Sequence, residues 1–366
     1  MVIISTMALI GFEGWAHAHE ADPELLTGWR IWLHLTIQWA HLIAFALWMG
    51  VTFWAFFLTQ PRLETLLLSS WALFLVLLAT GVYNSEYSSG LPHYPSLLNW
   101  HLVSQAPFGR TYTIVLSLKL ALFTLAVVGN LAVSMAHILK SPKKVQEKLR
   151  QTYLIYSGIL AFLISVLVAV LLILHEAADL YPTALHPLGG VLGSSHPAQV
   201  GTPGGQTASP DFRIFFHPQV LINTLFRWLH LLGFGLWLGG TALFLTLGST
   251  NYRRFIIFTW ILLAVQVLTG LYHMGFSTPF ATAPYLFNLE ELSNFRFGRT
   301  YTLLMGMKQA LVVLALTTTA GMTYMAFKNE VKDDKLLVGI NLILGLSIAY
   351  VIIAILLVHE GVDHVL

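Results

Sequence analysis

Apolar residues run along this chain in eight long stretches, approximately 31–59, 66–83, 113–139, 153–175, 223–248, 255–273, 302–327 and 336–359. At 1.5 Å per residue each is long enough, or nearly so, to cross a hydrocarbon core of roughly 30 Å. None alternates apolar with polar residues as a strand would. In lipid, backbone polar groups must be satisfied within the segment, so runs of this kind predict transmembrane helices. The expected fold is all-α: a polytopic membrane protein of eight helices.

The polar and aromatic positions inside these runs repeat. Trp39 and His41 correspond to Trp228 and His230, Trp48 and Gly50 to Trp237 and Gly239, and Trp71 to Trp260. Thr80, Gly81 and Tyr83 correspond to Thr269, Gly270 and Tyr272. The segment from Phe108 through Gly109, Arg110 and Thr111 to Tyr112 returns as Phe297 to Tyr301, and Lys119 returns as Lys308. Every pair is 189 positions apart. After a five-residue deletion the register resumes at 184, matching His175, Glu176 and Asp179 with His359, Glu360 and Asp363. The chain therefore reads as two tandem four-helix bundles, residues 31–177 and 223–366, joined by an outward linker, 178–222, and preceded by an N-terminal segment, 1–30. Four helices per unit is an even number, so the halves are parallel and related by a pseudo-two-fold axis along the membrane normal.

Charge adds orientation. Lys140, Lys143, Lys144, Lys148 and Arg150 follow the third run, Arg253 and Arg254 the fifth, and Lys328, Lys332 and Lys335 the seventh. By the positive-inside rule these connections face the cytoplasm and both termini face out, as in a bacterial inner membrane. The acidic N-terminal segment, with Glu13, Glu20, Asp22 and Glu24, fits an outward position. Its Ala16-His17-Ala18 also resembles a signal-peptide cleavage site, but no basic residue precedes it, and an uncleaved tail is the expectation. Charged residues are only 10% of the chain, too few to coat a soluble surface of this size, and a net charge of +2 gives no basis for a nucleic-acid partner.

There is no cysteine, which excludes disulfides, thiolate metal sites and covalent c-type haem; the 15 histidines must carry any metal chemistry. Counting from the basic ends places His41, Tyr83, Lys119 and His175 between about 26 and 33 Å along their helices, in one layer near the outer face. His230, Tyr272, Lys308 and His359 repeat that layer. Ionisable groups inside a membrane are costly and usually functional. Two histidines from different helices of a bundle suit the axial positions of a b-type haem, pairing His41 with His175 and His230 with His359. Lys119 and Lys308, with Arg110 and Arg299 nearer the surface, would then neutralise propionates. The repeated tryptophans would either pack a macrocycle or anchor and pack helices. The same histidines could instead hold copper, with a nearby tyrosine or methionine. His34 and His273 stand behind them as metal ligands, because their counterparts are Asn223 and Asn84. His17, His19, His93, His101, His186, His196 and His217 fall in outward segments and read as solvated. Gly50, Gly81 and their repeats read as close helix contacts.

The tryptophan–histidine pair with its downstream tryptophan–glycine, the Thr80-Gly81 step, and Phe108 to Tyr112 leading to a buried Lys119 resemble the copper-resistance D (CopD) family. They are similar also to the HemJ-like membrane protoporphyrinogen oxidases. The resemblance covers roughly residues 30–177 and 222–364. It implies that His41 with Lys119, and His230 with Lys308, are the hallmark polar residues. It further implies copper movement across the inner membrane for the first family, or haem binding for the second. The tandem symmetry and the repeated histidine and acidic residues closing the fourth helix depart from a typical CopD protein and suit two haems. The expected function is electron transfer through haem b, one per half; copper handling and a HemJ-like oxidase are the alternatives. The expected partners are the bilayer, a periplasmic electron-transfer or copper-binding protein, or a larger membrane complex.

Overall fold

The computed structural model describes residues 29–57, 61–87, 103–104, 108–139, 142–179, 218–247, 252–276, 297–328 and 334–363. Residues 1–28, 88–102, 105–107, 180–217 and 277–296, which hold His17, His19, His93, His101, His186, His196 and His217, lie outside the described residues. Eight helices follow in order: α1 Trp29–Phe57, α2 Leu63–Tyr87, α3 Gly109–Ile138, α4 Lys143–Asp179, α5 Pro218–Leu247, α6 Tyr252–Phe276, α7 Gly298–Lys328 and α8 Asp334–Asp363. All eight are long and apolar enough to cross a membrane, and no strand occurs among the described residues. The chain is an integral membrane protein.

The largest departure from the apolar pattern is α4, which starts ten residues before its apolar run. Lys144, Lys148 and Arg150 therefore ride on helix rather than in a loop. Hydropathy alone cannot register these turns, because they are charged; their backbone bonds are satisfied all the same.

The two repeats do not stand apart as separate cores. Helices α1 and α5, the first of each half, pack against each other, and α4 and α8 flank both of them. One apolar cluster joins Ile43 and Ala46 of α1 to Phe234, Trp237 and Leu238 of α5, Ala315 of α7 and Ile348 of α8. The crossing is made possible by repeat-related glycines. A Cβ placed on Gly50 would lie 2.6 Å from the Gly239 Cα, and one on Gly239 would lie 2.5 Å from the Gly50 Cα. This reciprocal contact lies where the pseudo-two-fold axis must pass. Small residues let backbones approach where lipid supplies no hydrophobic drive between helices.

Tryptophans lock the same arrangement. Trp39 of α1 donates to the Leu346 carbonyl of α8 (2.9 Å), and its repeat mate Trp228 of α5 donates to Ser165 of α4 (3.0 Å). Each half thus reaches into the last helix of the other. Within the halves, Trp71 donates to Ser134 at 3.1 Å and Trp260 to Thr323 at 2.9 Å, again as a repeat pair. Of the two readings open for these residues, helix packing is the one their indole N–H groups serve.

Helices α2 and α3 touch only sparsely, as do α6 and α7. Their outer faces carry exposed apolar side chains such as Leu68, Leu75, Leu118 and Leu268, which suit contact with lipid.

Candidate functional site

His41 and His230 are held in the same way. The Nδ1 of His41 lies 2.8 Å from the Thr80 hydroxyl of α2, and the Nδ1 of His230 lies 2.8 Å from the Thr269 hydroxyl of α6. Each hydroxyl has one proton, and it is already donated down its own helix. Thr80 donates to the Val76 carbonyl and Thr269 to the Val265 carbonyl, both at 2.6 Å. Toward the imidazole the threonine can only accept, so the network assigns the ring proton to Nδ1. The Nε2 lone pair is left for another partner. An N–H held by an outer group while the second nitrogen stays free is the arrangement that orients a metal-ligating imidazole.

The Thr-Gly step is explained by this contact. Its threonine orients the ring, and its glycine lies beside the ring edge. A Cβ on Gly81 would meet the His41 Cε1 at 3.6 Å, and one on Gly270 would meet the His230 Cε1 at 3.8 Å, both ordinary contact distances. Unlike Gly50 and Gly239, these glycines are not tight helix contacts.

Lys119 of α3 acts electrostatically on His41, and Lys308 of α7 acts on both His230 and His273. Both lysines are half-buried. Histidine, threonine and lysine from three helices thus come together in each half; the expected layer instead set Tyr83 and His175, or Tyr272 and His359, beside the histidine and lysine, and the side chains of His175 and His359 lie outside the described residues. Arg110 and Arg299 lie in the first turns of α3 and α7, nine residues before the lysines, which is about 13.5 Å nearer the N-terminal ends of those helices. Arg110 is half-buried, Arg299 is exposed, and each has a polar or electrostatic partner.

The residues around this shared frame differ between halves. In the first, the His34 and Tyr83 rings lie 5.9 Å apart, and the His34 Nε2 is 2.8 Å from the Gln38 amide nitrogen. In the second, Tyr272 donates to the Asn223 side-chain carbonyl and stacks on Phe226 at 4.0 Å. His273 stands edge-on to His230, ring centroids 5.8 Å apart, and bonds the Phe226 backbone. The second half therefore presents two imidazoles side by side. The sequence gives no signal for that pairing, since the counterpart of His273 is Asn84. Gln266 of α6 also escapes sequence reasoning; its amide donates to the His230 carbonyl. His175 and His359 lie in the closing turns of α4 and α8, but their side chains are outside the described residues. Among the described residues no group of three or more histidine or acidic side chains gathers.

The entries to α3 and α7 share one further feature. Phe108 and Phe297 cap these helices with φ of 57° and 59°, the only non-glycine residues with positive φ among those described. A left-handed phenylalanine costs roughly 1–2 kcal/mol. Its recurrence marks the turn that delivers Arg110 and Lys119, or Arg299 and Lys308, to their helices.

Comparison of the chain with protein-family models, with curated proteins and with solved structures finds no match. The functional reading therefore rests on the residues and their geometry.

Proposed function

We propose that this protein is a membrane electron-transfer protein that binds one b-type haem in each half, with His41 and His230 each supplying an axial ligand through Nε2. The observation that carries the proposal is the duplicated His–Thr bond, which frees the same ring nitrogen at the same depth in both halves. A bound haem supplies one-electron redox chemistry. Thr80 and Thr269 fix the tautomer and swing of each ring. Lys119 and Lys308 provide a cation beside each imidazole, suited to a propionate. The apolar helices keep water from the layer. His175 and His359 are the proposed second ligands, on the strength of their place in the repeat. On this reading the protein belongs with the CopD-like and HemJ-like group in its hallmark histidine and lysine, and it works at the outer face of a bacterial inner membrane with a periplasmic partner.

A second reading, copper binding, draws support from the second half alone, where His230 and His273 stand 5.8 Å apart. Two imidazoles suit copper, but soft sulfur ligation is thin there: the sulfur of the neighbouring Met274 is approached by the Gln309 amide at 3.6 Å.

Two sets of variants test the haem proposal. Thr80→Val and Thr269→Val keep the side-chain shape and remove the acceptor of the imidazole N–H. Each is expected to weaken haem retention in its own half about 10–100-fold, the usual cost of losing an outer partner of a ligating histidine. Retention is read by haem loss to apomyoglobin; unchanged loss rates contradict the assigned role. Lys119→Met and Lys308→Met preserve volume and delete the cation. They are expected to leave the fold intact and shift the midpoint potential of one haem each. If spectrum, potential and metal content all stay put, the lysines merely extend toward the outer surface.

A further inference from the structure

We propose that water enters the first half from the basic end of the bundle as the sparsely touching helices α2 and α3 part, and that this transient inlet ends at Asn130. The inlet is separate from the histidine layer and does not depend on what that layer binds.

Asn130 is fully buried on α3, eight residues from the helix end, or about 12 Å inside. Neither its side-chain oxygen nor its side-chain nitrogen has a hydrogen-bond partner among the described residues. A buried primary amide offers two donors and two acceptor sites, and leaving them all unmet costs several kcal/mol in apolar surroundings. Buried polar groups in this position are normally met by ordered water.

The path outward is marked by the same helix face. His137 lies seven residues beyond Asn130, about two turns, and its Nδ1 is likewise buried without a partner among the described residues. Its Nε2 lies 3.9 Å from Glu64 at the start of α2, whose side chain is 76% exposed. The basic end of this face is therefore polar, with Glu64 at the surface. Between mouth and end, the Ser134 hydroxyl is shared by Trp71 and the Asn130 carbonyl. Lys119 lies five turns from His137 on that face, so the inlet points along α3 toward the polar layer.

The second half argues the case by contrast. There the counterparts of Asn130 and Ser157 are Thr319 and Asn341, and they bond each other at 3.2 Å. Thr318 and Met322 complete the Asn341 amide. In the first half Ser157 is taken by the Trp48 indole at 3.0 Å, which leaves Asn130 alone. The second half does leave one group unmet at this level, the Trp237 indole N–H. That is a single donor. Thr323 with Trp260 repeats Ser134 with Trp71, and the Tyr252 hydroxyl is buried toward the basic end, but the histidine–glutamate pair is missing: the counterpart of His137 is Ala326, and that of Glu64 is Arg253.

The absence of cysteine makes the test direct. Single cysteines are placed at Asn130→Cys, Thr319→Cys and Leu131→Cys, the last a half-exposed position on the apolar surface of α3. Each is treated with a small membrane-impermeant methanethiosulfonate in sealed vesicles, presented from the basic end. Thiols react as thiolates, which need water. Asn130→Cys is expected to react at least tenfold faster than either control, and His137→Phe in the same chain should slow it severalfold. The reaction should also be much slower when reagent is presented from the opposite side. Reaction of Asn130→Cys no faster than Leu131→Cys overturns the inlet, as does equal reaction of Thr319→Cys. Because cysteine removes the unmet amide, the substitution relieves a buried polar group rather than creating one; native elution in detergent confirms that each variant is folded.

Discussion

Purified His41→Ala protein is expected to lose about half of its haem and keep the rest in an unchanged environment, and His230→Ala to do the same from the other side. Alanine deletes the one imidazole whose free nitrogen the Thr80 or Thr269 hydroxyl has oriented. No nearby histidine can substitute without moving its helix in the first half. His34, the candidate there, is tied to Gln38 and lies against Tyr83. In the second half His273 stands 5.8 Å from His230, so partial rescue as an altered, high-spin haem is the expected difference between the two variants. Haem content per chain, with electron paramagnetic resonance of what remains, reads both effects. Full retention of both haems in both variants would remove these histidines from the site.

The second large effect concerns the joint between halves. Gly50→Val is expected to prevent stable folding, and Gly239→Val likewise. Even the first carbon of a side chain at position 50 would fall 2.5 Å from the Gly235 carbonyl oxygen and 2.6 Å from the Gly239 Cα. Both obstacles are backbone, so no rotamer change relieves them, and the two central helices must separate. Overpacking in a core costs about 1–3 kcal/mol where side chains can give way, and more is expected where they cannot. Gly81→Ala is the matched control, since its new carbon would meet the His41 ring at an ordinary 3.6 Å. Thermal unfolding in detergent, followed by monodispersity, separates the two: the control should melt near the parent and the valine variants far below it. A Gly50→Val protein that melts with the parent would mean that α1 and α5 do not cross there.

These two expectations differ in how much of each was legible from the residues alone. The eight helices were, because uninterrupted apolar runs have one solution in lipid. The duplication was, because a fixed offset of 189 positions holds over three helices and across the two connections between them. Gly50 was recognisable as a helix contact but not its partner: periodicity reports a face, and only packing reports that the face meets its own repeat. The start of α4 was hidden by its charges. At the site, His41 and Lys119 stood out as costly groups in apolar runs, whereas Thr80 did not, since threonine is common in membrane helices and its role is defined by the ring it receives. His273 ranked only as a secondary metal ligand, for lacking a histidine counterpart, and the structure brings it beside His230. Asn130 drew no notice because one amide in a long run carries no pattern; its significance lies in partners that are not there.

The central claim is that each half binds a haem, and the visible absorption spectrum of the purified protein, with haem and metal counted per chain, tests it most directly. The account predicts a Soret band that sharpens on reduction with dithionite, resolved α and β bands of b type, and two haems per chain. A colourless protein carrying copper and no haem would contradict it, and would move the histidine layer to the copper reading.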